Sequence, residues 1–252
     1  MSAIPSLGIP ELAGLATYGD AARMGFSVDE NVRRLVRFHW VERRLMLTAI
    51  ARLPATPEWE VKCALALHQW LDGGHANAIR TRITEMRNPV PRMDVPPDPA
   101  LEAFLDEVIR AEDTVELLAG LYDVVHPALL TAYRAHVEHT NPLVDHPTAR
   151  ILRQAIADEE QMIAWGDRAL EACTREAVHK ARAASWIAHL RAYLDAAGGI
   201  AGDASVQRRE PLPPPRAATP FAADMHPRRD ARFHGQYNFH FPPHLVYTAP
   251  GV

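Results

Sequence analysis

Glycine and cysteine are scarce in this 252-residue chain, at 13 and 2 residues, and aromatic side chains make up only 7% of it. Cys63 and Cys173 lie far apart among helix formers, too few for a disulfide framework or a zinc cluster, and they read as reduced packing residues. Positive charge is not in excess either. A net charge of -4 removes the global field that would hold the chain on nucleic acid or anionic lipid. No uninterrupted apolar run approaches the ~18 residues that cross a bilayer. The first residues, MSAIPSLGIP, also lack the basic-then-apolar order of a signal peptide. With 48% hydrophobic and 23% charged residues, the composition is that of ordinary globular proteins, which excludes disordered, collagen-like and membrane classes. The expectation is a cytoplasmic protein with a buried core.

Proline is unevenly spread. Of 21 prolines, nine fall in the last 52 residues and five more between Pro89 and Pro99, while all five tryptophans lie between residues 29 and 195. Three regions follow: an N-terminal segment 1–26, a helical domain 27–197, and a proline- and aromatic-rich arm 198–252.

Ser27-Val-Asp-Glu30 fits a capping box, so a first helix is predicted over 28–53. Thr56-Pro57-Glu58 offers an N-cap hydroxyl, a proline at the first helical position and an acid for the dipole, and opens a second helix ending at Arg87 before Asn88-Pro89. So short a connection forces an antiparallel hairpin. The following NPVPRMDVPPDP is extended by its own chemistry, and twelve residues of polyproline II span roughly 37 Å. It can carry the chain from one end of a bundle to the other. Asp98-Pro99 opens a third helix through Tyr133, kinked at Pro127, and Pro147 opens a fourth. Helical pattern then continues to Ala197, with a break expected near Gly166 or Thr174, before Gly198-Gly199 stops it. Two hairpins joined by one long crossover make an all-α, four-helix bundle of the ferritin-like arrangement.

Polar residues on inward stripes carry the chemistry of a bundle. His68, Asp72 and His75 stand at i, i+4 and i+7 on the second helix, and Glu42, with His39 a turn before it, lies at the same depth across the hairpin. Asp72-x-x-His75 has the spacing by which one helix offers a carboxylate and an imidazole to one metal. In the second hairpin Glu159 falls on the apolar stripe, whereas Asp158 and Glu160 are displaced to its flanks. His126 sits at matching depth on the third helix, with Asp123 one turn earlier on the same side. Gly73-Gly74 costs roughly 2 kcal/mol of helix propensity against alanine, which points to a π-bulge or to room for a small ligand beside the metal.

The runs FHWVERRLMLTAIARLP, WEVKCALALHQWLDGGHANAIRTRI and ILRQAIADEEQMIAWG resemble the ferritin-like superfamily of carboxylate-bridged diiron proteins. The closest likeness is to the bacterial branch of tRNA-hydroxylase-like and uncharacterised ferritin-like proteins. The resemblance covers roughly residues 29 to 172. The family pattern is a Glu, a Glu-x-x-His, a Glu and a Glu-x-x-His on successive helices. Glu42 matches the first, Asp72 and His75 the second with Asp for Glu, and Glu159 the acid of the fourth, while Met162 stands where the last His belongs. The third helix has no clean match. Glu116 lies too far from the hairpin depth, leaving Asp123 or His126.

The resemblance implies one or two non-haem iron ions and a monooxygenase-type oxidoreductase acting on a small molecule with dioxygen. The alternative is a ferritin-like bundle that has lost its metal and serves as a structural or interaction module. In the arm, Phe233, Tyr237, Phe239, Phe241 and Tyr247 predict that the distal part docks on the bundle or on a second copy in a homodimer, beyond a flexible spacer to Pro220. His234, His240 and His244 have no metal-specific spacing, and Arg228-Arg229 is a small basic patch that could meet RNA or an acidic partner.

Overall fold

The computed structural model describes residues 8–203 and 211–233. Among them all regular structure is helical: α1 (Tyr18–Ala22), α2 (Val28–Arg52), α3 (Trp59–Met86), α4 (Pro99–Val108), α5 (Thr114–His139), α6 (His146–Cys173) and α7 (Ala177–Ala196), with single 3-10 turns at Glu11–Gly14 and Ala231–Phe233. No strand occurs among the described residues.

Helix α2 starts where Ser27 predicts, its hydroxyl accepting from the Glu30 N–H at 3.2 Å. Only half of the capping box forms, because the Glu30 carboxylate turns outward onto Arg33 and Arg34, each at 2.7 Å. Thr56 does not cap α3. Its hydroxyl donates back to the Arg52 carbonyl, finishing the preceding turn, and α3 begins after Glu58. Helices α2 and α3 lie along each other as a hairpin and bury Leu35, Phe38, Leu45, Leu65, Ile79 and Ile83. Side chains of this size each contribute roughly 1.5–3 kcal/mol on burial.

The predicted third helix is two helices. After the extended segment, Asp98 caps α4 by accepting from the Ala100 N–H at 2.8 Å. The chain turns at Ile109–Glu112 and starts again at Asp113, which accepts from the Glu116 N–H at 2.9 Å while the Glu116 carboxylate accepts from the Glu112 N–H at 2.8 Å. Asp113-x-x-Glu116 is a helix start by the same reciprocal logic as a capping box, and it ends α4 without any proline. In α5, residues Ala119–Val125 are π-helical. Pro127 follows after His126. Lacking an N–H, it would orphan the Asp123 carbonyl in an α-helix, and a wider turn ahead of it relieves that conflict. The irregularity is therefore beside Pro127, whereas α3 passes through Gly73-Gly74 without a bulge. Helix α5 is long and apolar enough to cross a membrane, but 72% of its most apolar window is buried against the other helices.

The fourth helix breaks at Thr174 as predicted, and α7 packs over α4 and the π-helical turn of α5. Gly166 stays inside α6 for another reason: a Cβ there would lie 2.2 Å from the Tyr122 ring. Gly198 and Gly199, with φ of 71° and 76°, end α7. Buried Arg37 fastens the turn beyond them to α2, donating to the Ile200 carbonyl at 2.7 Å and to Asp98 at 2.9 Å.

Residues 211–220 are not a free spacer. Tyr193 donates to the Pro213 carbonyl at 3.0 Å, Arg110 to the Thr219 carbonyl at 2.7 Å, and Arg216 reaches into the helices. Further on, the Arg228 N–H bonds the Pro54 carbonyl at 2.9 Å and its guanidinium pairs with Asp224 at 3.0 Å, so this part of the basic patch is turned on the protein itself. His234, Tyr237, Phe239, His240, Phe241, His244 and Tyr247 lie outside the described residues. Cys173 is half-buried, whereas Cys63 is exposed and packs no core; neither forms a disulfide.

Candidate metal centre

Helices α2, α3 and α6 each turn acidic side chains into one small volume. Glu42 from α2, Asp72 and His75 from α3, and Glu159 from α6 each present a ligating atom within 4.8 Å of all the others, and all four are buried. Glu42 and Glu159 have no solvent exposure at all.

The surrounding bonds fix these groups and still leave each of the three acids one unpartnered oxygen. Tyr133 donates its hydroxyl to Glu42 Oε1 at 2.5 Å, and His75 Nδ1 meets the same oxygen at 3.1 Å. His75 Nε2 faces Asp158 Oδ2 at 3.1 Å. His126 Nδ1 lies 2.9 Å from Glu159 Oε2, its ring stacked on Tyr122 with centroids 5.2 Å apart. Three carboxylate oxygens are left over: Glu42 Oε2, Asp72 Oδ1 and Glu159 Oε1 are buried without a hydrogen-bond partner. Each such oxygen costs about 1–3 kcal/mol when buried and unmet, more if charged. Three of them aimed into one volume fit a cation.

Electrostatics agree. Burial pushes the Asp72 carboxyl well above its usual range and raises Glu159 as well, with Glu42 adding to both and Glu159 adding to Asp72. Burial alone would also keep the imidazoles neutral. Glu42 and Asp158 nevertheless push His75 up to about 10, and Glu159, with Asp72 behind it, pushes His126 up to about 9. In the protein alone, protons on two histidines balance the crowded carboxylates. A divalent ion would do the same and would free His75 to act as a ligand.

Several expected residues are elsewhere. His39 is buried against the Ala76 carbonyl at 3.0 Å, and burial lowers its pKa. His68 Nδ1 meets the Tyr122 hydroxyl at 2.7 Å, and burial pulls its pKa down to about 4, so it is a neutral partner of Tyr122. Asp123 is half-buried and pairs with Arg191 on α7 at 2.8 Å, because the π-helical turn rotates it off the stripe. His126 touches the cluster through Glu159 but is not among the four. Glu116 is remote, as expected. Met162 is buried in the core where the resemblance calls for a histidine.

Asp158, placed on a flank by its sequence position, is the residue that sequence reasoning missed. Helix α6 is level with α3 at this depth, so the residue just before Glu159 faces His75 across the seam. Tyr122 and Tyr133 were readable only as part of an apolar stripe, since a phenol looks the same in a periodic pattern whether its hydroxyl is used or not.

A cleft of about 710 Å³ runs along the seam of α3 and α6 and reaches the cluster at His75 and Asp158. Gly74 lines it, and a Cβ there would meet nothing within 4 Å. The room foreseen beside the metal at Gly73-Gly74 is thus at Gly74 alone, since Gly73 faces Met46. Comparison with protein-family models, with curated proteins and with solved structures finds nothing that matches this chain.

Proposed function

We propose that Glu42, Asp72, His75 and Glu159 hold a redox-active divalent metal ion, iron, and that the protein is a non-haem iron oxidoreductase that uses dioxygen to oxidise or hydroxylate a small molecule. The observation that carries this reading is the set of three buried, unpartnered carboxylate oxygens converging with one imidazole. Carboxylate oxygen with imidazole nitrogen suits iron or manganese better than thiolate-seeking metals. The order of the helices supports a ferritin-like four-helix arrangement: hairpins α2/α3 and α5/α6, linked through the extended segment and α4, surround the cluster.

Iron held by Glu42, Asp72, His75 and Glu159 would supply dioxygen activation. The chain's own residues prepare the site. Tyr133 fixes the rotamer of Glu42 by donating to Oε1, leaving Oε2 free. His126 does the same for Glu159 and stores a proton at Nδ1 that can move to the carboxylate. Asp158 orients the His75 ring from the cleft side. The buried Tyr122 ring stacks on His126 and covers that imidazole.

A second reading has an observation behind it: α5 adds no carboxylate to the four, and Met162 fills the place of a histidine. On that reading the bundle is a structural or interaction module. Iron content of protein expressed with iron supplementation separates the two. The enzyme reading expects about one ion per chain, lost in Glu42→Ala and Asp72→Asn, and an optical band after an oxygen pulse to the reduced protein that these variants lack. Iron below a few tenths per chain, unchanged by His75→Ala, would sink it.

A further inference from the structure

We infer that the cleft along α3 and α6 binds an elongated organic anion, with its charged end on Arg150 and Arg153 and its apolar body running past His75 to Trp70. The inference rests on the metal-site reading for what happens to the ligand, but the binding site stands on its own observations.

Three contacts show that the helices run antiparallel. The His68 ring lies edge-on to Trp165, His75 bonds Asp158 at 3.1 Å, and Arg82 Nε donates to Thr148 Oγ1 at 2.9 Å. Position along one helix is therefore a ruler for the other. Arg153 and Arg150 stand five and eight residues before Asp158, about 8 and 12 Å along the axis at 1.5 Å per residue. Trp70 stands five residues before His75, about 8 Å on the opposite side. The cleft is a trough with cations at one end, a large aromatic at the other, and the entrance to the buried cluster between.

The charges in it are unequal. Asp158 is engaged by His75 and by Gln154 Nε2 at 3.2 Å, and Glu85 by Arg82 at 3.0 Å. Arg150 and Arg153, one turn apart on α6, are both exposed in the cleft, and no other described side chain holds either of them. Trp70 is 69% exposed, an unusual position for a tryptophan on a helix that buries its opposite face. Two guanidinium groups unpaired among the described residues match a carboxylate, sulfonate or phosphate, and the indole and Leu71 match an apolar body. The volume is that of a small-molecule site. The ruler adds a constraint on the ligand: the atom it offers to His75 and Asp158 lies about 8–12 Å from its charge.

The test uses two fluorescent probes of one shape, the anion 8-anilinonaphthalene-1-sulfonate and the neutral N-phenyl-1-naphthylamine. The anion is expected to bind at one site, and Arg150→Gln/Arg153→Gln to weaken it about tenfold or more while changing the neutral probe less than about twofold. Gly74→Leu, whose side chain enters open space and which raises helix propensity, is expected to block both probes without loss of folding. Failure of the anion to bind the wild type, or equal affinity in the wild type and these variants, overturns the inference. Iron content, measured on the same samples, is expected to be unchanged by all three substitutions. Iron-free protein with the predicted probe pattern would sink the metal reading and leave the cleft; iron-loaded protein with no pattern would do the reverse.

Discussion

Two groups of buried carboxylates can be compared within this fold. Glu107 and Glu116, on α4 and α5, are as buried as the cluster around Asp72, but every demand they make is met from the protein. Glu107 accepts from His189 Nε2 at 2.8 Å and from the Arg216 N–H at 2.7 Å. Glu116 takes both arms of the Arg216 guanidinium, at 2.5 and 3.0 Å, as well as the Glu112 N–H. Arg216 itself lies 3.9 Å over the Trp186 ring. Among the described residues, neither acid leaves a buried oxygen without a partner. Around Asp72 three acids converge, no arginine enters, and three oxygens are left over. Burying acids is common to both; the difference is that one group is closed by a segment of the chain and the other is open to something that is not protein.

The largest expected effect breaks that comparison from outside. An ion supplied at about a thousand times its dissociation constant should stabilise the fold by roughly 4 kcal/mol, raising the melting temperature by about 10 °C. Asp72→Asn should abolish the shift, and Arg216→Met should leave it intact. Next comes Arg216→Met without metal. It keeps the packing over Trp186 but strips Glu116 of its counter-ion, and should cost about 2–3 kcal/mol, below the value for a fully buried pair because Arg216 is a quarter exposed. Adding Glu116→Gln should recover part of the loss, a non-additivity read from denaturant midpoints. Smaller, and of opposite sign, is Asp72→Asn in metal-free protein. Removing one of three crowded carboxylates should be neutral or gain about 1 kcal/mol. A loss as large as that of Arg216→Met would mean that Asp72 is a structural residue and that the two groups do not differ.

Much of this was legible from residue spacing. Ser27, Pro147, Thr174 and Gly198-Gly199 mark helix ends because capping and proline act within a few residues, and the inward positions of Glu42, Asp72, His75 and Glu159 follow from helical periodicity and a short hairpin loop. What periodicity could not supply is rotation. The π-helical turn at Ala119–Val125 turns Asp123 outward to Arg191 and leaves His126 against Glu159, and nothing in a strict 3.6-residue count announces it. Asp158 was hidden for a related reason: a side chain on the flank of a stripe faces a neighbour only once the depth of two helices is known. The Asp113-x-x-Glu116 start does not show in a periodicity count, because the apolar stripe from Leu101 to Tyr133 keeps its spacing across α4 and α5.

The pH dependence ties the two states of the open group together. In metal-free protein His75 is raised to about 10 and His126 to about 9, both from an ordinary 6.5. A histidine whose pKa is raised on folding stabilises the fold fully below pH 6.5, and that contribution disappears as pH climbs through 9 to 10. The raised carboxyls of Asp72 and Glu159 act in the same direction, since the folded state holds their protons more tightly than the unfolded chain and gives up stability as they are lost. Metal-free protein should therefore unfold at progressively lower denaturant between pH 6.5 and 9.5. Metal affinity should move the other way, gaining up to about tenfold per pH unit for each proton displaced from the ligands. Stability curves with and without metal then diverge as pH rises. A metal-free midpoint that stays flat across this range would mean that no proton is held between His75, Glu42 and Asp158, and the charge balance drawn for the open group would have to be replaced.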